Sequence, residues 1–392
     1  MLTLIQNANV VGYDEILSNA SILIRDGAIE RVDATEYLTE PDAEVVDAAG
    51  AWVIPGIIDT HNDSLETEIN PRPSVELPRE FALGNYERRA LSTGVTSSFH
   101  AISFANIVSK GRTIERSVEH ARLAVTSPNT LIDHQILHRC DVWTPEGVGP
   151  IFESLSSCSV RAVSINDHMP GQGQFRDLEK FKEWIRAYRS DESFDADAEI
   201  ERRMQRIDRE RETVQRVYND IAERNRNRDT ILVSHDDDSP EKVDRMVELG
   251  ATVAEFPITF ESSSRARERG MWITVGAPNV VRGGSTSNNI SARDLVERNE
   301  ADIICGDYHT PSLLLSAFVL VTQGYLALPA AIRMLTANPA DAFDMVDRGR
   351  IEPGRVADLV VIDEIAGSPS VRMTMRGGRP VFSVDRPVLQ LT

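Results

Sequence analysis

Over residues 1 to about 54, apolar and polar positions alternate in short runs, the two-residue period of strands with one covered face. Asp26-Gly27 sits between two such runs, Ser21-Ile-Leu-Ile-Arg25 and Ala28-Ile-Glu-Arg-Val32, and predicts a tight hairpin there. The stretch reads as a small antiparallel sheet. The last forty residues return to the same style, with a run at 357–362 and two short strands around Gly377-Gly378. One β-domain built from 1–54 and 351–392 is therefore expected.

Between these ends, apolar runs of four to seven residues alternate with longer helical patterns, as in a parallel sheet covered on both faces. The candidate strands are 52–58, 95–99, 135–142, 162–165, 230–233, 252–256, 272–275 and 302–305. Eight is the number that closes a barrel, so the expected fold class is α/β, a (β/α)8 TIM barrel over 55–350 with a β-sandwich from the two terminal segments. A charged, helix-prone insertion at about 176–226 carries an amphipathic stripe that includes Val214, Val217 and Ile221. It reads as a solvated helical pair, the alternative being a lid over the barrel mouth.

Composition narrows the function classes. With 42 basic against 61 acidic residues the formal charge is -19, a field that disfavours nucleic acid and anionic membranes. Four basic residues are lysines, Lys110, Lys180, Lys182 and Lys242, and the rest are arginines. That bias fits either a salt-adapted cytoplasm or a base composition favouring arginine codons. Three cysteines, Cys140, Cys158 and Cys305, do not make a disulfide framework and suit a reducing compartment. The N-terminus lacks a basic region followed by an apolar run, and the longest apolar stretch, 313–321, is too short to span a bilayer. A cytoplasmic homo-oligomer acting on a small molecule is expected.

In a barrel of this kind, chemistry sits where strands end. The first strand ends in His61-Asn-Asp63, the third in Arg139-Cys-Asp141, the fourth in Asp167-His168, the fifth in His235-Asp-Asp-Asp238 and the eighth runs into Asp307. Imidazole and carboxylate together suit Zn, Mn or Fe, and so many ligands suggest two ions sharing a carboxylate. Cys140 and Cys305 read as buried inert thiols, Glu255 as a hydrogen-bonding wall residue, and His100 as core or as support for the site.

Three segments make the chain familiar: Trp52-Val-Ile-Pro-Gly-Ile-Ile-Asp-Thr-His61-Asn-Asp63, Ala337-Asn-Pro-Ala340 and Gly349-Arg-Ile-Glu-Pro-Gly-Arg-Val-Ala-Asp358-Leu-Val. In these the sequence resembles the amidohydrolase superfamily, whose barrel is flanked by a β-sandwich from both termini. The segments 167–175, 234–238, 254–261, 276–285 and 307–308 are similar to a branch that hydrolyses a ribose 5-triphosphate bearing a phosphonate, releasing pyrophosphate in phosphonate catabolism.

The resemblance implies a metal centre of two divalent ions. His61 and Asp63 would bind one, Asp63 standing where most relatives carry His; Asp141 would bridge, His168 and His235 would hold the second, and Asp307 would be a ligand and the proton acceptor for attacking water. Asp141 stands where Glu is expected, and His309-Thr-Pro where Tyr-Pro-Ala is expected, which leaves His309 either in the site or on an exposed loop. For the phosphates, Arg282 with Gly283 and Gly284 offers a guanidinium beside small residues, and Arg72, Gln172 and Gln174 are further candidates. The rival readings are a hydrolase or deaminase acting on a C–N bond, and a non-catalytic scaffold.

Overall fold

The computed structural model describes residues 1–34, 38–72, 75–107, 112–167, 169, 178–189, 195–284, 289–365 and 367–385. Five strands come first: β1 (Leu2–Val11), β2 (Ile16–Arg25), β3 (Ala28–Asp33), β4 (Glu44–Asp47) and β5 (Trp52–Pro55). Strands and helices then alternate through β6 (Ile57–Asn62), α1 (Ser64–Ile69), α2 (Arg79–Leu91), β7 (Val95–Ser103), α3 (Ile114–Thr126), β8 (Asp133–Asp141), α4 (Val148–Ser154) and β9 (Ala162–Asn166). After α5 (Leu178–Arg189) and α6 (Ala196–Arg224) the alternation resumes with β10 (Ile231–His235), α7 (Pro240–Leu249), β11 (Ala251–Glu255), α8 (Phe260–Glu268), β12 (Trp272–Gly276), α9 (Ala277–Arg282), α10 (Ala292–Glu297) and β13 (Ile303–Cys305). The chain closes with α11 (Ser312–Thr322), α12 (Leu328–Arg333), α13 (Ala337–Ala342), β14 (Leu359–Ile365), β15 (Ser368–Arg376) and β16 (Arg379–Ser383). Strands β6 to β13 succeed one another in chain order in one sheet, the α/β barrel fold that the alternation predicts.

The chain divides into two compact units, 1–100 with 126–135 and 303–392, and 101–125 with 136–302. The first contains the terminal sheet, ordered β16-β15-β14-β5-β1-β2-β3 with β4 also on β1. Its two expected hairpins form: Asp26 and Gly27 have φ of 50° and 88°, Gly377 and Gly378 of 51° and 72°, the left-handed pair that matches the twist of the flanking strands. The sheet is mixed rather than purely antiparallel. Register shifts interrupt β1 after Ile5, and Asn7 turns left-handed at φ 54°, so its first half takes β4 as a parallel neighbour and its second half takes β5. The core of this sheet includes Ile5, Val10, Ile22, Ile24, Val53, Leu359 and Val361.

The single strand expected at 52–58 is two strands that part at Gly56. A Cβ there would lie 2.2 Å from Thr96 Oγ1, so only glycine lets the chain pass. Before it, β5 pairs antiparallel with β14; after it, β6 pairs parallel with β7. Residues 53–62 are buried throughout, so no polar position marks the break.

The second unit holds the parallel pairs β8·β9, β9·β10, β10·β11 and β11·β12 and the helical insertion. Helices α5 and α6 share a small core of Phe181, Ile185 and Ile200, and Asp195 caps α6 by accepting from the Asp197 and Ala198 N–H groups. The stripe of Val214, Val217 and Ile221 is buried, as expected of an amphipathic helix. Arg206 ties α6 to the end of β8: its Nη2 donates to Trp143 O at 2.8 Å and its guanidinium lies 5.7 Å above the indole.

Candidate metal centre

In the first unit, the end of β6 and the turn after β13 bring three of the expected ligands together. One donor atom each from His61, Asp63 and Asp307 lies within 4.8 Å of the other two. His61 is buried, and its Nε2 stands 3.7 Å from Asp63 Oδ1. Asp63 occupies the N-cap position of α1 without spending its carboxylate on a capping bond. Asp307 N–H donates to His61 O at 2.8 Å and Asp63 N–H to Asp307 O at 3.0 Å, so backbone pairing sets all three in register. Asp307 does so at φ 53°, a left-handed conformation that costs a non-glycine residue free energy.

A buried carboxyl holds that turn. Asp59, fully buried, accepts from Gly306 N–H at 2.7 Å, from His61 N–H at 3.3 Å and from Thr310 Oγ1 at 3.3 Å. Burial pushes its carboxyl up to about 7, opposed by the Gly306 and His61 N–H groups. A Cβ on residue 306 would lie 2.4 Å from Asp59 Oδ2, which explains the glycine before Asp307.

In the second unit, β10 ends at His235. Glu255, at the end of β11, meets His235 Nδ1 at 3.0 Å through Oε2, which fixes one ring nitrogen, and the other, Nε2, lies 3.6 Å from Asp236 Oδ2. Ser234 Oγ donates to Asp237 Oδ2 at 2.5 Å, and Lys242 Nζ donates to His235 O at 2.8 Å and Asp236 O at 3.0 Å. Burial holds the Asp237 carboxyl above the usual carboxylate range, against the pull of Lys242.

Asp141, at the end of β8, accepts from Trp143 N–H at 3.0 Å and from Thr144 Oγ1 at 3.4 Å, and Trp143 Nε1 donates to Asp167 Oδ1 at 2.7 Å. Burial pushes both carboxyls up; Asp167 raises Asp141 further, and Asp238 raises Asp167. Trp143 thus steers two acids at once, one through its backbone and one through its indole.

The remaining expectations fare unevenly. His168, Gln172 and Gln174 lie outside the described residues. Arg72 and Arg282 are exposed. Gly283 does not offer its N–H to a phosphate: that group donates to Asn279 O, and Gly283 is the left-handed cap of α9, with Arg293 donating to the carbonyls of Val280 and Val281. A helix C-terminus presents carbonyls, the wrong polarity for an anion. His309 is exposed on its loop. His100 is core: it meets His134 Nδ1 at 2.8 Å, and His134 meets Glu87 at 3.1 Å. Cys140 and Cys305 are buried, and burial holds the Cys140 thiol up at about 12, which keeps it protonated and inert.

Asp59, Trp143 and Lys242 had no assigned part in the sequence reading. Asp59 left a signal, an acid two residues before His61 amid Ile57, Ile58 and Thr60. Lys242 left another, a lysine in an arginine-rich chain.

The amidohydrolase family profile matches residues 318–382. The chain is 32% identical to the alpha-D-ribose 1-methylphosphonate 5-triphosphate diphosphatase of Escherichia coli (strain K12), over 97% of this chain and all of that one. It is 31% identical to an adenine deaminase of Methanoregula boonei, over 32% of this chain and 24% of that one. Among solved structures, a D-hydantoinase superposes with a TM-score of 0.62 at 14% identity, covering 98% of this chain and 95% of the other, a likeness of fold.

Proposed function

The chain belongs to the amidohydrolase superfamily, and from that premise we propose that it is a metal-dependent diphosphatase. Its substrate would be alpha-D-ribose 1-methylphosphonate 5-triphosphate, cleaved to the 5-phosphate and pyrophosphate. The full-length likeness to the Escherichia coli diphosphatase supports the substrate. The grouping of His61, Asp63 and Asp307 carries the chemistry. One imidazole and two carboxylates around one point fit Zn, Mn or Fe.

When bound, a divalent ion there supplies positive charge against phosphoryl oxygens and makes water more acidic. Asp307 takes the proton of the attacking water, and the Asp59 clamp keeps its carboxylate aimed. Asp141, His168 and His235 are proposed for a second ion, with Glu255 fixing the tautomer of His235. Arg282, Arg72, Gln172 and Gln174 are proposed to neutralise the triphosphate that an acidic protein would otherwise repel.

A phosphorus NMR time course on that triphosphate with metal-loaded protein tests the reading. Stoichiometric pyrophosphate and ribose 1-methylphosphonate 5-phosphate are expected. Orthophosphate as the first product, or turnover confined to C–N substrates, would overturn it.

A further inference from the structure

Lysine is rare in this chain, and one lysine, Lys242, has its ammonium among buried oxygens. Lys242 lies in the first turn of α7, and its side chain is 17% exposed. The ammonium converges on three oxygens, donating to His235 O and Asp236 O and lying 3.6 Å from Asp237 Oδ1. A compact ammonium directs three donors outward from one point, whereas a guanidinium spreads its donors along a plane. Asp237 is itself fully buried and held by Ser234 Oγ, so the negative partner is fixed in place.

The backbone that Lys242 grips is strained. Successive carbonyls of a strand point to opposite sides, yet those of His235 and Asp236 both face Nζ. Asp236 allows this by turning left-handed at φ 52°. Its N–H donates to Glu255 O at 3.0 Å, while the Glu255 carboxylate holds His235 Nδ1. The imidazole also packs edge-on against Phe256, 5.4 Å between ring centres. His235 is thus held at its ring by the Glu255 carboxylate, with Asp236 Oδ2 3.6 Å from Nε2, and at its main chain by the Lys242 ammonium.

We propose that Lys242 is a positioning residue for His235, acting through the 235–236 main chain to keep the imidazole on Glu255 and its Nε2 aimed at substrate or metal. The role rests on the reading of His235 as part of the reactive centre. It predicts that positive charge alone is not enough at position 242.

The test is carried out on the full chain with Lys242→Arg and Lys242→Met. Nitrogen-15 NMR of the histidines, with His235 assigned by its loss in His235→Asn, reports whether Nδ1 keeps its proton and its hydrogen bond to Glu255. Both variants are expected to shift or exchange-broaden that signal in metal-free protein while other histidine signals stay put. Each should also lower kcat by about 10- to 100-fold with a smaller change in KM. A folded Lys242→Arg with an unchanged His235 signal, or with wild-type kcat, overturns the proposal. Should neither variant fold, Ser234→Ala, which frees Asp237 beneath the ammonium, carries the same spectral test with the same two outcomes. If the unaltered chain releases no pyrophosphate, the functional reading falls, while the His235 signal still decides the positioning role.

Discussion

Two strand-end turns, one in each compact unit, solve the same problem with groups of opposite hydrogen-bonding polarity. After β13, Asp307 is left-handed and is fixed by the buried carboxyl of Asp59; after β10, Asp236 is left-handed and is fixed by the ammonium of Lys242. The reason for the difference is which backbone group each turn exposes. The first presents an N–H, at Gly306, and needs an acceptor; the second presents two carbonyls and needs a donor. The clamps also differ in reach: 247 residues separate Asp59 from Gly306, but Lys242 is seven beyond His235. One turn depends on the whole unit being folded, the other on a local helix start.

That contrast can be broken most forcefully at Gly306. Gly306→Ala drives a methyl to 2.4 Å from Asp59 Oδ2 and 3.0 Å from Thr310 Cα. A loss of about 3 kcal/mol is expected from overpacking, read by the denaturant midpoint, together with loss of the melting-temperature rise expected of the unaltered chain on adding Zn or Mn. A variant as stable and as metal-responsive as the parent would show that Asp59 does not hold the turn tightly.

A pH titration separates the units by their buried imidazoles. Burial holds His138 down at about 4 and His100, beside His134, well below its ordinary value. The unfolded chain then binds protons that the folded one refuses, so stability present above pH 6.5 drains away as pH falls towards 4. For His138 this amounts to about 3 kcal/mol, checked by urea unfolding at pH 7 and pH 4.5. His138→Asn should flatten that slope; a slope unchanged by the substitution would mean the imidazole is not neutral and buried.

The smallest effect is expected at Arg206→Ala, which removes one hydrogen bond and a stacked cation from Trp143. About 1 kcal/mol should be lost, seen as faster amide exchange in α6 with little change elsewhere. Unchanged exchange would mean that the apolar stripe alone anchors the insertion.

Much of the fold was legible. The hairpins at Asp26-Gly27 and Gly377-Gly378 announced themselves because a two-residue turn admits few residue types. The parallel strands from β7 to β13 stood out as short apolar runs between helical patterns. The break at Gly56 stayed hidden because both flanking strands are buried. Gly283 and Gly284 read two ways: a glycine pair after a strand signals a positive φ as readily for a helix cap as for an anion nest, and Gly283 caps α9.

The amino-acid order alone settled which residue types end the strands, since His61, Asp63, Asp141, His235 and Asp307 all follow apolar runs whose length and period specify strands. Which backbone groups those ends leave exposed was decided only by tertiary structure. A left-handed residue such as Asp236 or Asp307 persists because contacts from elsewhere repay its strain. Those contacts, Asp59 on Gly306 and Lys242 on His235, are properties of folded neighbours and have no period along the chain.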